Sequence, residues 1–343
     1  MSLKKILCTG LTAAMIFTGS QFTSAAGSDS ASGSLAKIEI DTYGVEQDGP
    51  LIARVGRLEK DYTGQNMQGN LNMRINAVSD LIYQNSGEPS LMAKVNALEW
   101  NVKNEVVSGG LAQRIAGLEN VILGTSGSGT FSDRIKSLAK ESFGDEKIPM
   151  VQVRVPAGTL IKVATTETLN TRTMQVGDTV PIKVEEDVII DGNLIFARGL
   201  RGKGEVLEVK SANKWGRNGR MDINFNRLEC IDGEQIKICV GDDAEELMTQ
   251  NKMVDAAALV GLDLKDDWKK ATVHGKNLEI PAGTEFYVQL EENEFIYALQ
   301  GGASIKIASG SNVITVPSEE EEVIIVEEDD RDEETTEIRY TEE

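Results

Sequence analysis

The feature that most constrains this chain is a period of twenty residues running through its first half. Leu51, Leu71, Leu91, Leu111 and Phe131 recur in register, as do Val55, Ile75, Val95, Ile115 and Ile135, and then Leu58, Val78, Leu98, Leu118 and Leu138. A basic residue keeps the same step at Arg54, Arg74, Lys94, Arg114 and Arg134. Upstream, Ile38-Glu39 and Tyr43-Gly44 align with Leu58-Glu59 and Thr63-Gly64, the end of one more unit. Within a unit the apolar positions Leu51, Val55, Leu58 and Tyr62 are spaced to lie along one stripe of an α-helix. Asn70, Ser90, Gly110 and Thr130 stand before the helices as N-cap candidates, with Pro50 in that place once. Gly64, Gly124 and Gly144 stand where left-handed C-caps close them. The period thus divides into a helix of about thirteen residues and a polar joint of about six.

A helix of that length with one apolar stripe is marginal alone, so the units must bury their stripes against each other or against a second chain. Two packings are open: the helices fold back into a compact array, or they string out and associate through the stripes as a coiled-coil-like oligomer. The Gly-rich joints favour folding back or a jointed rod over one continuous helix. The recurrent basic residue reads as a snorkelling side chain or a surface ion pair, with a row of cations facing a periodic anionic polymer as the alternative. The units resemble the Leu-x-x-Arg-Ile-x-x-Leu-Glu-x-x-x-(Phe/Tyr)-Gly repeats of exported proteins of some diderm bacteria. That resemblance implies an envelope location and brings no activity with it.

The start of the chain points to the same compartment. Lys4 and Lys5 precede an apolar run from Ile6 to about Phe17, and small residues follow at Ser24, Ala25 and Ala26. These are the three parts of a secretory leader, and the run is too short for a stable bilayer span. Cleavage is expected near Ala26, leaving a chain with no transmembrane span. Cys8 lies too early for a lipoprotein anchor. At the other end, residues 319–343 hold 14 acidic and 2 basic side chains, so much of the net charge of −20 belongs to a tail. Its charge density predicts disorder, and so acidic a chain is a poor partner for nucleic acid.

From Lys147 the pattern alternates with a period of two, at Val151–Val155, Leu160–Ala164, Val180–Val184, Val206–Val209 and Met221–Leu228. Such segments are short strands with one wet face, and Asp191-Gly192, Asp232-Gly233 and Val176-Gly177-Asp178 are turn candidates. Pro156-Ala157-Gly158-Thr159 recurs as Pro281-Ala282-Gly283-Thr284, with an echo at Phe196-Ala197-Arg198-Gly199, and reads as a folding signal. Asp243–Asp263 reads as one or two short helices, with Met253–Val260 as a buried face. The expected fold class is α+β in separate domains: a short-helix array, then a small, mostly antiparallel barrel or sandwich. The expected divisions are a leader at 1–26, a linker at 27–36, the repeats at 37–146, the β-rich domain at 147–316 and the tail at 317–343. Val151–Leu290, through its two Pro-Ala-Gly-Thr motifs, Gly199–Val206 and Met221–Gly233, resembles the β-domain of TrbI-like conjugation and type IV secretion proteins. The resemblance implies a compact envelope module that works by binding.

Catalytic chemistry is hard to build from these residues. His274 is the sole histidine, no serine sits in a nucleophile elbow, and one His with two separated Cys falls short of a usual zinc site. Cys230 and Cys239 flank the Asp232-Gly233 turn out of register for a direct bridge, and read as small apolar residues in a sheet. Paired carboxylates keep a carboxylate hydrolase as the formal enzyme alternative. No catalytic residue, cofactor or metal is therefore expected. The best binding candidate is the basic loop carrying Lys210, Lys214, Trp215, Arg217 and Arg220, where cations pair with carboxylates and indole stacks on an apolar face. The expected function is that of a non-enzymatic envelope scaffold, with the repeats as spacer or homo-oligomerisation element and the β-domain docking on an envelope protein or polymer; the alternative is a component of a secretion or conjugation apparatus.

Overall fold

The structure, a computed structural model, describes residues 31–212, 218–251, 253 and 276–301. The leader, the acidic tail, His274 and residues 254–260 of the expected buried face lie outside these. Six helices come first: α1 (Ala31–Tyr43), α2 (Leu51–Thr63), α3 (Leu71–Tyr83), α4 (Leu91–Lys103), α5 (Leu111–Ile122) and α6 (Phe131–Phe143). α1 takes in residues 31–36, expected as linker, because Leu35 repeats Val55 and is fully buried. Asn70, Ser90 and Thr130 accept from the backbone N–H three residues on, and Gly64 and Gly144 close their helices with φ near +80°.

Of the two open packings, the chain takes the folded-back one. Val55, Leu58, Tyr62, Ile75, Val78, Ile82, Ile115, Leu118, Ile135 and Leu138 are all buried in one core. Helices four units apart meet: α1 touches α5, and α2 touches α6. The first contact is close, since a Cβ on Gly110 would lie 2.8 Å from the carbonyl oxygen of Thr42. At the second, the Tyr62 and Phe131 rings pack edge to face with centroids 5.1 Å apart. Association through the stripes, in a coiled-coil manner, is thereby closed off, because the apolar surface it needs is consumed within the chain.

The recurrent arginines are not the expected surface ion pairs: Arg54 and Arg114 are buried, and Arg74 and Arg134 are mostly so. Arg54, Arg74, Arg114 and Arg134 each bind the glutamate fifteen residues earlier, on the preceding helix: Glu39, Glu59, Glu99 and Glu119. All four glutamates are buried. Arg74 Nε and Nη2 donate to the two carboxylate oxygens of Glu59 at 2.7 and 2.6 Å, and Arg134 does the same to Glu119 at 2.6 and 2.7 Å. The glutamate also holds the joint: Gln47 N donates to Glu39 and Val107 N to Glu99, each eight residues on, and Gly127 N donates to Glu119. At Glu39, Glu99 and Glu119 one carboxylate thus ties its own helix to the joint after it and to the next helix. Unit three has Ser79 in the glutamate's place, and the matching cation is then Lys94, which leaves the core to reach Glu88 at 4.0 Å. No arginine of the series is buried without its acid.

The β-domain is built from strands β1 (Met150–Val155), β2 (Leu160–Thr165), β3 (Leu169–Asn170), β4 (Thr179–Val184), β5 (Val188–Ile190), β6 (Asn193–Phe196), β7 (Arg201–Lys210), β8 (Arg220–Glu229), β9 (Gln235–Ile236), β10 (Ile238–Cys239), β11 (Glu279–Ile280), β12 (Glu285–Leu290) and β13 (Glu294–Gln300), with α7 (Asp242–Gln250) between β10 and β11. Sheet orders are β1-β13-β6-β5, β10-β12-β2-β4-β7-β8-β9 and β11-β3, all antiparallel, which makes a nearly closed barrel. The two Pro-Ala-Gly-Thr motifs are symmetry mates. Gly158 N donates to Leu290 O while Gly283 N donates to Thr165 O, so each turn caps the strand that the other begins. The echo behaves alike: Gly199 N donates to Val184 O. Cys230 is buried just after β8 and Cys239 sits in β10 opposite Gln289, as packing residues of the sheet.

Two outcomes follow for the array. Arg74→Ala strands the Glu59 carboxylate and is expected to cost about 3–5 kcal/mol, whereas the double change Glu59→Leu with Arg74→Met is expected to recover most of it; urea unfolding of both variants checks this. The Arg134 hydrogen bonds hold Glu119 below its ordinary value of 4.5. A depressed carboxylate contributes stability that is present above pH 4.5 and is lost as pH falls through its folded value, so helix content should drop on acidification below pH 4.5.

Candidate docking site

The most densely bonded polar site lies where α4 meets the β-domain. α4 is the one helix of the array buried on two faces, with Val95 and Leu98 in the array core and Ala93, Asn96, Ala97 and Trp100 buried as well. Its second face carries the β-domain. Asn96 Nδ2 donates to Ile231 O at 3.1 Å, Ser90 Oγ to Asp232 O at 3.3 Å, and Asn85 Nδ2 to Asp232 O and Glu234 Oε1. Trp100 Nε1 donates to Asp187 Oδ2 at 3.0 Å, and Asp187 Oδ1 accepts from Arg198 N at 2.7 Å. Val106 N donates to Arg198 O at 2.8 Å. The β-domain offers two turns with glycines where the array comes closest: a Cβ on Gly199 would lie 2.1 Å from the carbonyl oxygen of Val106, in the joint after α4, and one on Gly233 2.7 Å from Met92 Cγ of α4. Both glycines also have positive φ, +89° and +83°.

The array's ion pairs reach into this junction. Arg114 Nη2, paired with Glu99, also donates to Asn96 Oδ1 at 2.6 Å, and the amide of the same Asn96 holds Ile231. At the centre sits Asp232, 1% exposed, accepting from Tyr297 N at 2.9 Å and Glu234 N at 3.1 Å. Burial, and next the charge of Glu234, push its carboxyl up from 3.8 to about 7. Glu294 is raised by burial and by Glu292 and Glu234, and burial raises the Cys230 thiol. Among the described residues no three His, Cys, Asp or Glu are placed to hold a metal ion. What the arrangement does chemically is bind one half of the chain to the other.

Of the residues expected from sequence, Lys214, Trp215 and Arg217 lie outside the described residues. Lys210 and Arg220 are brought together as the last partners of the β7–β8 ladder. Lys210 pairs with Glu208, whose carboxyl is lowered mainly by that contact, so this cation already has an acid. The hairpin end is tied down on both sides: Ser211 Oγ donates to Thr171 O, and Gly219 N to Lys276 O, both at 2.8 Å. Sequence reasoning missed the α4 junction. A signal was present, because unit four alone places an aromatic residue, Trp100, where units two, three, five and six have Lys60, Asp80, Asn120 and Lys140.

No protein-family model matches the chain, and no curated protein matches it. Among solved structures it is similar to ComB10 of the Com type IV secretion system of Helicobacter pylori, at 16% identity and a TM-score of 0.23, over 41% of this chain and 89% of that one. This fits the TrbI-like resemblance loosely, and a likeness of that size carries no argument about what the chain does.

Asp232 gives the junction a pH signature. Its folded value is raised, so its contribution is complete below pH 3.8 and is lost as pH rises through about 7. Stability should fall by on the order of 1 kcal/mol per pH unit between pH 5 and 7, and Asp232→Asn should flatten that slope; thermal melts across this range check it. Gly199→Ala should separate α4 from the β-domain, read as a loss of amide protection at Val106.

Proposed function

We propose that this chain is a non-enzymatic structural protein of the cell envelope, in which the helical array and the β-domain form one platform that binds an envelope partner. The observation that carries it is the α4 junction. A helix array that clamps its β-domain through Asn96, Trp100 and Asp187 presents the exposed faces of both as one surface. The leader-like start supports export. In this reading the repeats are a folded docking element rather than an extended spacer, and any homo-oligomer uses faces other than the apolar stripes. No described helix is long and apolar enough to cross a membrane.

Crosslinking in intact envelopes followed by purification of the chain tests this. A discrete envelope protein is expected, dependent on an intact β7–β8 hairpin end, with no turnover of peptidoglycan fragments by the purified chain. Robust hydrolysis overturns the non-enzymatic reading. Recovery of channel or ring subunits places the platform in a secretion or conjugation apparatus.

A further inference from the structure

The face of α4 that carries the β-domain exists a second time in the array, uncovered. Met92, Ala93, Asn96, Ala97 and Trp100 of unit four correspond, two periods earlier, to Ile52, Ala53, Gly56, Arg57 and Lys60 of α2. In α4 the small residues Ala93 and Ala97 are fully buried under the Ile231-Asp232-Gly233 turn. In α2 the same positions, with Met67 from the following joint, line an open groove of about 520 Å³, and Ile52 is 67% exposed. Ala53 and Gly56 make its floor, so a chain can approach the helix backbone as closely as it does on α4.

The chemistry of the groove differs from that of α4 in two ways: Gly56 opens the floor where unit four has the Asn96 amide, and Arg57 and Lys60 stand where it has Ala97 and Trp100. Arg57 donates to Gln47 Oε1 at 2.8 Å, and among the described residues neither cation is in an ion pair. An apolar floor with two unneutralised cations on its rim calls for a segment that is apolar and acidic in turn. This chain carries one. Val323-Ile324-Ile325-Val326 lies between the acidic blocks Glu319–Glu322 and Glu327–Asp330. The turn held by α4 has the same order of chemistry, with Cys230 and Ile231 followed by Asp232 and Glu234. Reach is sufficient: the 21 residues from 302 to 322 extend to about 70 Å, more than the roughly 45 Å across a compact body of the described size.

We propose that the acidic segment 319–330 docks on the α2 groove of its own chain, its apolar centre over Ala53 and Gly56 and its carboxylates against Arg57 and Lys60. The groove is then a self-occupied copy of the α4 junction, which a more acidic partner could reach only by displacing the tail. This inference stands on the repeat equivalence and does not depend on the proposed envelope role.

Zero-length carbodiimide coupling of the full chain, read by peptide mass spectrometry, tests it. Lys60 Nζ should form an amide with a carboxylate of 319–330, and a mixture of isotopically light and heavy copies should show that the link is within one chain. Raising salt to about 0.5 M should reduce the link several-fold, since the contact is exposed and screened. Arg57→Glu, a surface change whose fold circular dichroism checks, should reduce it at least five-fold. Absence of a link from Lys60 to the tail, a link found only between copies, or a yield unchanged by Arg57→Glu overturns the proposal.

Discussion

The fold of the N-terminal half depends on a carboxylate that has been taken out of water. A buried glutamate is costly unless it is paired and hydrogen-bonded, and here all four bind the arginine of the next helix, with Glu39, Glu99 and Glu119 also accepting from a backbone N–H of the joint that follows. A pair of this kind contributes little compared with a well-packed apolar substitute. Its effect is on geometry, because only one placement of the next helix brings its guanidinium to the carboxylate. Short helices with narrow stripes could pack in many ways, and the ion pair selects one.

The series is also finite. The first unit has Ser34 in the arginine's place, the last has Ala139 in the glutamate's, and Ser79 and Lys94 break it once in the middle. The break falls where unit four must serve two masters. α4 packs its stripe into the array and turns a face of small residues to the β-domain, and Lys94, half-buried and lowered by that burial, reaches Glu88 instead of a buried acid. Arg114 then joins the two systems, since it grips Glu99 in the array and Asn96 at the junction. Loss of an ion pair in the array is therefore felt in the β-domain.

Much of this was legible in the amino-acid order. The period, the helix limits, the caps at Asn70, Ser90 and Thr130, the strands and the tandem Pro-Ala-Gly-Thr turns all follow from local chemistry, which the final structure keeps. The burial of Arg54 and its counterparts did not follow, because an isolated basic residue beside an apolar stripe is far more often at the surface. The signal lay in a pair: glutamate and arginine share one period and fail together at Ser79 and Lys94. The start of α1 was hidden by the small residues before Leu35, which read as linker. The α4 junction was hidden for a different reason. Its contacts join residues about 90 to 150 apart, as between Trp100 and Asp187 or Asn85 and Glu234, and no local pattern encodes such a meeting.

Hydrogen exchange at the joints tests the central claim most directly. The amides of Gln47 and Val107 lie outside helices and strands, yet each donates to a buried carboxylate, at 3.0 and 3.1 Å. The account predicts that they exchange as slowly as amides inside α2 and α5, while neighbouring Asp48 and Ser108 exchange as open loop. Exchange of Gln47 and Val107 at the loop rate would contradict it.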